Sequence, residues 1–183
     1  MINSNISSII KARRAVFPQQ FNGKKISQDI VLELLKNANT APTHKLTQPW
    51  FFKVFSEGSK MELAKQLLIK NGNSNDLLKQ KLINKFKLSS HIICICMRRN
   101  NTIPEWEEIA ATAMAVQNIW ISCSNSKIGG YWSTPKSIDD LHLFLKLKKN
   151  ERCLGLFYLG QYDQVKERNI IRKNIEDDIE WFN

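Results

Sequence analysis

Apolar residues recur along the chain in two rhythms, and each change of rhythm marks an element. Ile6, Ile9 and Ile10 fall at helical spacing and predict a short helix over 5–15. Ser27, with Ile26 before it and Val31 after it, reads as an N-cap with a hydrophobic staple. The helix it opens carries Ile30, Leu34, Leu35 and Ala38 on one face and should stop before Ala41-Pro42. Residues 50–55 are aromatic-rich and partly alternating, which predicts a strand. Ser59-Lys60-Met61-Glu62 has the form of a capping box, opening a helix that should end near Asn71-Gly72. A further helix over 73–88 has a mixed face of Leu77, Leu78, Lys81, Leu82 and Lys85.

The run from His91 to Met97 is almost wholly apolar and predicts a buried strand. A long helix follows. Pro104 and three glutamates (Glu105, Glu107, Glu108) suit its N-terminal end, and from Ile109 to Ile121 only Thr112, Gln117 and Asn118 are polar. A helix apolar nearly all round is covered on several sides, a second subunit being one candidate cover. It is too short, and too closely flanked by charge, to span a membrane. The chain breaks at Gly129-Gly130, with a strand over 127–132. Ser137 reads as the cap of a helix with Asp139 and Asp140 in its first turn and Leu141, Phe144 and Leu145 on its core side. Residues 153–160 are apolar on both faces and predict a central strand. In the charged tail, Ile170, Ile171, Ile175, Ile179, Trp181 and Phe182 require a surface to lie on, such as another subunit. The order of elements gives one α+β domain over 1–183, in three layers around a sheet of four or five strands.

Composition changes this picture in one respect. Hydrophobic content of 43% and charged content of 24% are ordinary, but the formal net charge is +10. Nucleic acid, an anionic membrane surface and phosphate-bearing small molecules would each suit it, and so would biased base composition in a genome rich in lysine, asparagine and isoleucine codons. No basic run exceeds a pair and no arginine alternates with aromatics on a strand, which argues against nucleic acid. Cys94 and Cys96 share one face of a predicted strand, and with Cys123 and Cys153 they show no metal-ligand spacing. Reduced buried thiols and a cytoplasmic setting are the expectation.

Several chemistries are missing. There is no GxGxxG after a strand, no GxxxxGK[ST] and no GxSxG. His91 opens a buried strand and His142 adjoins a core leucine, whereas His44 sits in a polar loop with two prolines, where a scaffold can hold a side chain for function. Arg13-Arg14 offers fixed positive charge for a phosphate, and Gly129-Gly130 would let the backbone approach a flat ligand.

These features, in order along the chain, resemble the FMN-dependent nitroreductase family, especially its short bacterial members. The motifs are Arg13-Arg14-Ala15, the loop from Ala41 through His44 to Pro49-Trp50, Ile103-Pro104-Glu105-Trp106-Glu107, Gly129-Gly130-Tyr131-Trp132-Ser133 and Gly155-Leu156-Phe157-Tyr158-Leu159-Gly160. The resemblance implies a mostly antiparallel sheet and a homodimer with the long helix in its interface. It implies one FMN at each end of that interface. Arg13 and Arg14 would hold the phosphate, with Ala15 standing where relatives commonly have a serine and Thr40 where some have a basic residue. His44 would reach the flavin from the other subunit, and Trp132, Ser133 and Thr134 would pass the ring. A C-terminal basic contact has no clear match, Lys166 and Arg168 being guesses. The implied activity is hydride transfer from NAD(P)H to FMN and on to a small acceptor such as a nitroaromatic or quinone, in ping-pong order. The chemistry belongs to the cofactor, so no catalytic side chain and no metal are expected. Nor is a nucleic-acid or membrane partner. The rival readings are a non-catalytic flavin carrier and another reductive activity on the same scaffold, dehalogenation or flavin fragmentation, whose lid could only be 70–88.

Overall fold

The computed structural model describes residues 3–70, 75–164 and 171–182. Its helices are α1 (Ser4–Ala12), α2 (Gln28–Ala38), α3 (Glu57–Lys70), α4 (Asp76–Leu88) and α5 (Glu105–Ser122), and its strands are β1 (Trp50–Ser56), β2 (His91–Arg98), β3 (Ile128–Ser133) and β4 (Glu151–Gln161). The strands form one sheet in the order β1-β2-β4-β3, every neighbouring pair antiparallel. The expected α+β layering is present, and the doubly apolar β4 is central.

The period-2 rule sorts β2 between two cores. Ile92, Cys94 and Cys96 face the α3–α4 side, with Leu63, Leu67 and Phe86, while Ile93 and Ile95 face α2 and α5, with Val31, Leu34, Ala115 and Ile119. The pair α3–α4, which contains the lid candidate, therefore lies across the sheet from α5. The described part of 70–88 packs on a core, with α4 against the 3₁₀ turn Pro18–Gln20. The proposed helix end at Asn71-Gly72 lies outside the described residues.

Local signals were read with mixed success. Ser27 does cap α2, accepting from the Ile30 amide at 3.4 Å, and Ile26 and Val31 are both buried. The buried face of α2 is Val31, Leu34 and Ala38, however, and Ile30 is exposed. The box expected at Ser59 opens no helix there. Helix α3 already begins at Glu57, and the Ser59 hydroxyl turns back, accepting from the Ser56 amide and donating to the Ser56 carbonyl. Ser137 caps no α-helix: a 3₁₀ turn, Asp139–Leu141, forms instead, and the buried Ser137 hydroxyl has no partner among the described residues. Two aspartates and a single turn of apolar residues do not offset the cost of nucleating a longer helix.

α5 ends at Ser122 with Cys123 as its C-cap, and the glycine pair lies within β3, as the strand expected over 127–132 requires. One face of α5 is buried by the sheet and α2, through Ala111, Ala115, Val116 and Ile119; Trp106 and Met114 are exposed. Among the described residues the helix is thus covered on one side only. Its first turn is anchored by charge. Glu108, fully buried, accepts from Arg99 and from the Asn100 amide at 2.9 Å, and Glu105 pairs with Arg152 at 2.8 Å. α1 ends at Ala12, earlier than expected, and its isoleucines Ile6, Ile9 and Ile10 face solvent. Ile171, Ile175, Trp181 and Phe182 of the tail are also exposed. All four cysteines are buried and free, and no group of residues suited to a metal ion occurs among the described residues.

Candidate functional site

One carbonyl ties three elements together. After Arg13 the chain turns extended, Ala15 forms a parallel bridge with Gly130, and the Val16 amide donates to the Gly130 carbonyl at 3.1 Å. The Trp120 indole N–H donates to that same carbonyl at 2.9 Å, bringing the end of α5 to the end of α1. Beside this junction opens a cleft of about 920 Å³, walled by Arg13, Arg14, Ala15, Gln117, Trp120 and Arg172. That size lies within the range of small-molecule and cofactor pockets.

The cleft is electrostatically unbalanced. The Arg13 guanidinium lies over the Trp120 ring, 5.3 Å from its centroid. Arg14 Nη1 donates to the Lys11 carbonyl at 2.7 Å and to that of Arg13 at 3.2 Å, which fixes its position. Burial, then the charges of Arg172 and Arg14, holds the Arg13 pKa below its ordinary value. No carboxylate lines the cleft among the described residues. Three guanidinium groups with no counter-charge form a receptor for a doubly charged, multi-oxygen anion, because each planar fork can donate two parallel hydrogen bonds. A phosphate monoester fits that donor set.

The remaining candidate residues lie elsewhere. Trp132, Ser133 and Thr134 continue along β3 from Gly130, so the strip from Ala15 to Thr134 runs roughly 13 Å at the rise of a strand. The Trp132 Nε1 is buried without a partner among the described residues, and the Thr134 hydroxyl donates to the Leu154 carbonyl at 3.2 Å. Thr40 is turned into the α2–α5 contact, donating to the Asn37 carbonyl at 2.8 Å and accepting from Asn118 at 3.2 Å. It does not line the arginine cleft. His44 begins a 3₁₀ turn (His44–Leu46) in a loop where Lys45, Leu46 and Gln48 all have positive φ, 51°, 52° and 41°. Non-glycine residues in that region store strain and cluster at functional sites. His44 Nδ1 meets Glu107 Oε2 at 2.5 Å, on the first turn of α5. Gln117 is ten residues further on, about 15 Å of helix rise, so His44 and the arginines lie at opposite ends of α5.

The glycine pair serves packing within the chain. A Cβ on Gly130 would fall 2.1 Å from Phe157 Cε1, and one on Gly129 would fall 2.5 Å from Val16 Cγ2. Both glycines make room for protein side chains. Three of the cleft's wall residues, Gln117, Trp120 and Arg172, escaped sequence reasoning. Arg172 lies in a tail with no periodic signal, and Lys166 and Arg168, the residues guessed in its stead, are outside the described residues. Gln117 did carry a signal, being one of three polar residues in an apolar helix. The other two are structural: Thr112 donates to the Glu108 carbonyl at 2.8 Å, and Asn118 bonds α2.

Comparisons with known proteins agree with this architecture. The family model described as the nitroreductase family matches residues 10–161. YfhC of Bacillus subtilis (strain 168), provisionally named an NAD(P)H nitroreductase, is 26% identical over 93% of this chain and 92% of its own. A nitroreductase-like family protein from Bacillus cereus shares the fold at a TM-score of 0.86, with 24% identity over 100% of this chain and 98% of that one. The FMN-dependent nitroreductase NfnB from Mycobacterium smegmatis, crystallised with NADPH, gives a TM-score of 0.80 with 17% identity over 98% and 99%.

Proposed function

The chain belongs to the nitroreductase family, and on that premise we propose that it is an FMN-dependent NAD(P)H oxidoreductase working as a cytoplasmic homodimer. The observation that carries the reading is the uncompensated arginine cleft at the foot of β3. Arg13, Arg14 and Arg172 hold the FMN phosphate by charge-assisted hydrogen bonds, and Ala15 contributes backbone only. The strip through Trp132, Ser133 and Thr134 leads from the phosphate toward the ring. The whole of 1–183 serves as one FMN-binding domain. When bound, FMN supplies the redox chemistry, taking hydride from NAD(P)H and passing electrons to a nitroaromatic or quinone-like acceptor that replaces the spent donor.

This chain's own residues bind, orient and balance charge. The arginines fix one end of the cofactor, so the ring is aimed by position and not by a covalent tie. His44 completes the site from the second copy, which accounts for its separation from the arginines within one chain. Glu107 holds the imidazole by Nδ1, leaving Nε2 to face the partner's cleft. No side chain is assigned a proton-transfer role in the hydride step.

The test is a visible spectrum of the protein mixed with FMN and freed of excess, followed by anaerobic addition of NADPH and of NADH. Bound flavin that bleaches with either donor is the expected result. Bound flavin that neither donor bleaches would indicate a flavin carrier. Failure to retain FMN would overturn the cofactor assignment.

A further inference from the structure

On the sheet face opposite α5, a second cleft of about 690 Å³ lies where α3, α4, the turn after Phe17 and the loop after β3 meet. Leu68, Leu78 and Leu82 supply its apolar lining, and Lys81, Lys85 and Lys136 its charged lining. Lys36, Lys65 and Lys79 each pair with a carboxylate three residues earlier on their own helix, to Glu33, Glu62 and Asp76. Lys81, Lys85 and Lys136 have no carboxylate within ion-pair distance among the described residues, and no acidic residue lines the cleft. Other lysines, Lys87 and Lys149 among them, also have no ion pair among the described residues; these three are set apart by lining one cleft together. Lys81 and Lys85 are four apart on α4, where like charges destabilise a helix. Leu78 and Leu82 are spaced likewise, so one face of α4 presents two leucines beside two unpaired ammonium groups. Leu78 is 55% exposed, and Leu77 and Ile69 nearby are more so. An apolar lining with unneutralised cationic groups complements a molecule with an alkyl chain and an anionic head.

We propose that this cleft binds an anionic amphiphile, an alkyl chain ending in a phosphate or carboxylate. The head would sit among Lys81, Lys85 and Lys136 and the chain against Leu68, Leu78 and Leu82. The proposal is independent of the FMN reading, since the two clefts share no residue and lie on opposite sides of the sheet.

The probe is dodecyl phosphate below its micelle concentration, titrated calorimetrically into FMN-treated protein and into Arg13→Ala/Arg14→Ala, which removes the other anion cleft. Saturable binding, equal in both, is expected. Octyl phosphate should bind more weakly, by about fourfold for each buried methylene lost. Lys81→Gln/Lys85→Gln/Lys136→Gln should weaken dodecyl phosphate by roughly 30-fold. Neutralising Lys146, Lys148 and Lys149, which carry the same total charge elsewhere, should not. Equal loss in both triple variants would reduce the effect to net charge and overturn the proposal, as would inorganic phosphate binding as tightly as the amphiphile. Displacement by polyglutamate at matched charge would assign the cleft to an acidic polypeptide and overturn it too. Co-flotation with phosphatidylglycerol vesicles that depends on the same three lysines identifies a lipid headgroup as the source. Binding of dodecyl phosphate without co-flotation identifies a free amphiphile.

Discussion

At the scale of single residues, Gly130 separates packing from binding. Its carbonyl receives Val16 and Trp120, and its missing Cβ admits the Phe157 ring. Gly130→Ala should therefore lower stability by about 1–3 kcal/mol, the usual cost of overpacking, with the loss visible in denaturant midpoint before any ligand is added. A variant that keeps its stability but loses FMN would return the glycine to the ligand. Arg172 makes the complementary case. It is exposed, so Arg172→Ala should leave the melting temperature unchanged while weakening FMN binding by on the order of 10- to 100-fold, the range for one charge-assisted bond, as read by flavin fluorescence. His91 supplies a pH dependence. Its ring sits beside the Ser90 hydroxyl, 3.0 Å from Nδ1, and burial, then the Lys60 charge, pushes its pKa below the ordinary imidazole value against an opposing pull from Glu57. The unfolded chain then takes up a proton first as pH falls. Stability is full above about pH 6.5 and declines below it until the folded-state pKa is reached. Between pH 7 and 5 the melting temperature should fall more steeply for the natural chain than for His91→Gln.

Among elements, α5 shows what a sequence reveals and what it conceals. Its glutamates were legible as partners of the helix dipole, and Glu105 does sit at the surface of the first turn, with Glu107 half-buried against His44. Nothing in their spacing marked Glu108 as the buried one, because its partners, Arg99 and the Asn100 amide, belong to a loop whose course depends on tertiary packing. Glu108→Ala would leave Arg99 half-buried and unpaired, and should cost about 3–5 kcal/mol in a denaturant titration, far more than the loss of an exposed dipole partner. The same contrast runs through the fold. β2 and β4 were readable because uninterrupted apolar runs have few other places to go, and Ser27 because cap and staple are local. The helix expected at Ser137 failed because two acidic residues are a weak local signal without a face to bury. At the cleft, Arg13 and Arg14 were visible as an adjacent pair, whereas Arg172 lies far along the chain and nothing in residue spacing ties it to them.

For the whole molecule the unresolved balance is apolar surface. Ile6, Ile9 and Ile10 on α1, Trp106 and Met114 on α5, and Ile175, Trp181 and Phe182 in the tail are all exposed in one copy, more than isolated surface apolar residues usually amount to. The same copy holds His44 and the arginine cleft at opposite ends of α5. A twofold pairing along α5 would address both facts at once, since a self-complementary interface covers the same patch twice and brings each His44 to the other copy's arginines. A shared site has a consequence that a self-contained one lacks. Arg13→Ala/Arg14→Ala and His44→Ala would each impair every site in their own homodimers. In a heterodimer of the two, one site carries both substitutions and the other carries neither. Co-expression of the two variants with different tags, followed by selection for both tags, should therefore restore one intact site per dimer. FMN content and NAD(P)H turnover would approach half those of the natural protein. If arginines and histidine acted within one chain, both sites of the heterodimer would stay impaired, and neither quantity would exceed the average of the two parents.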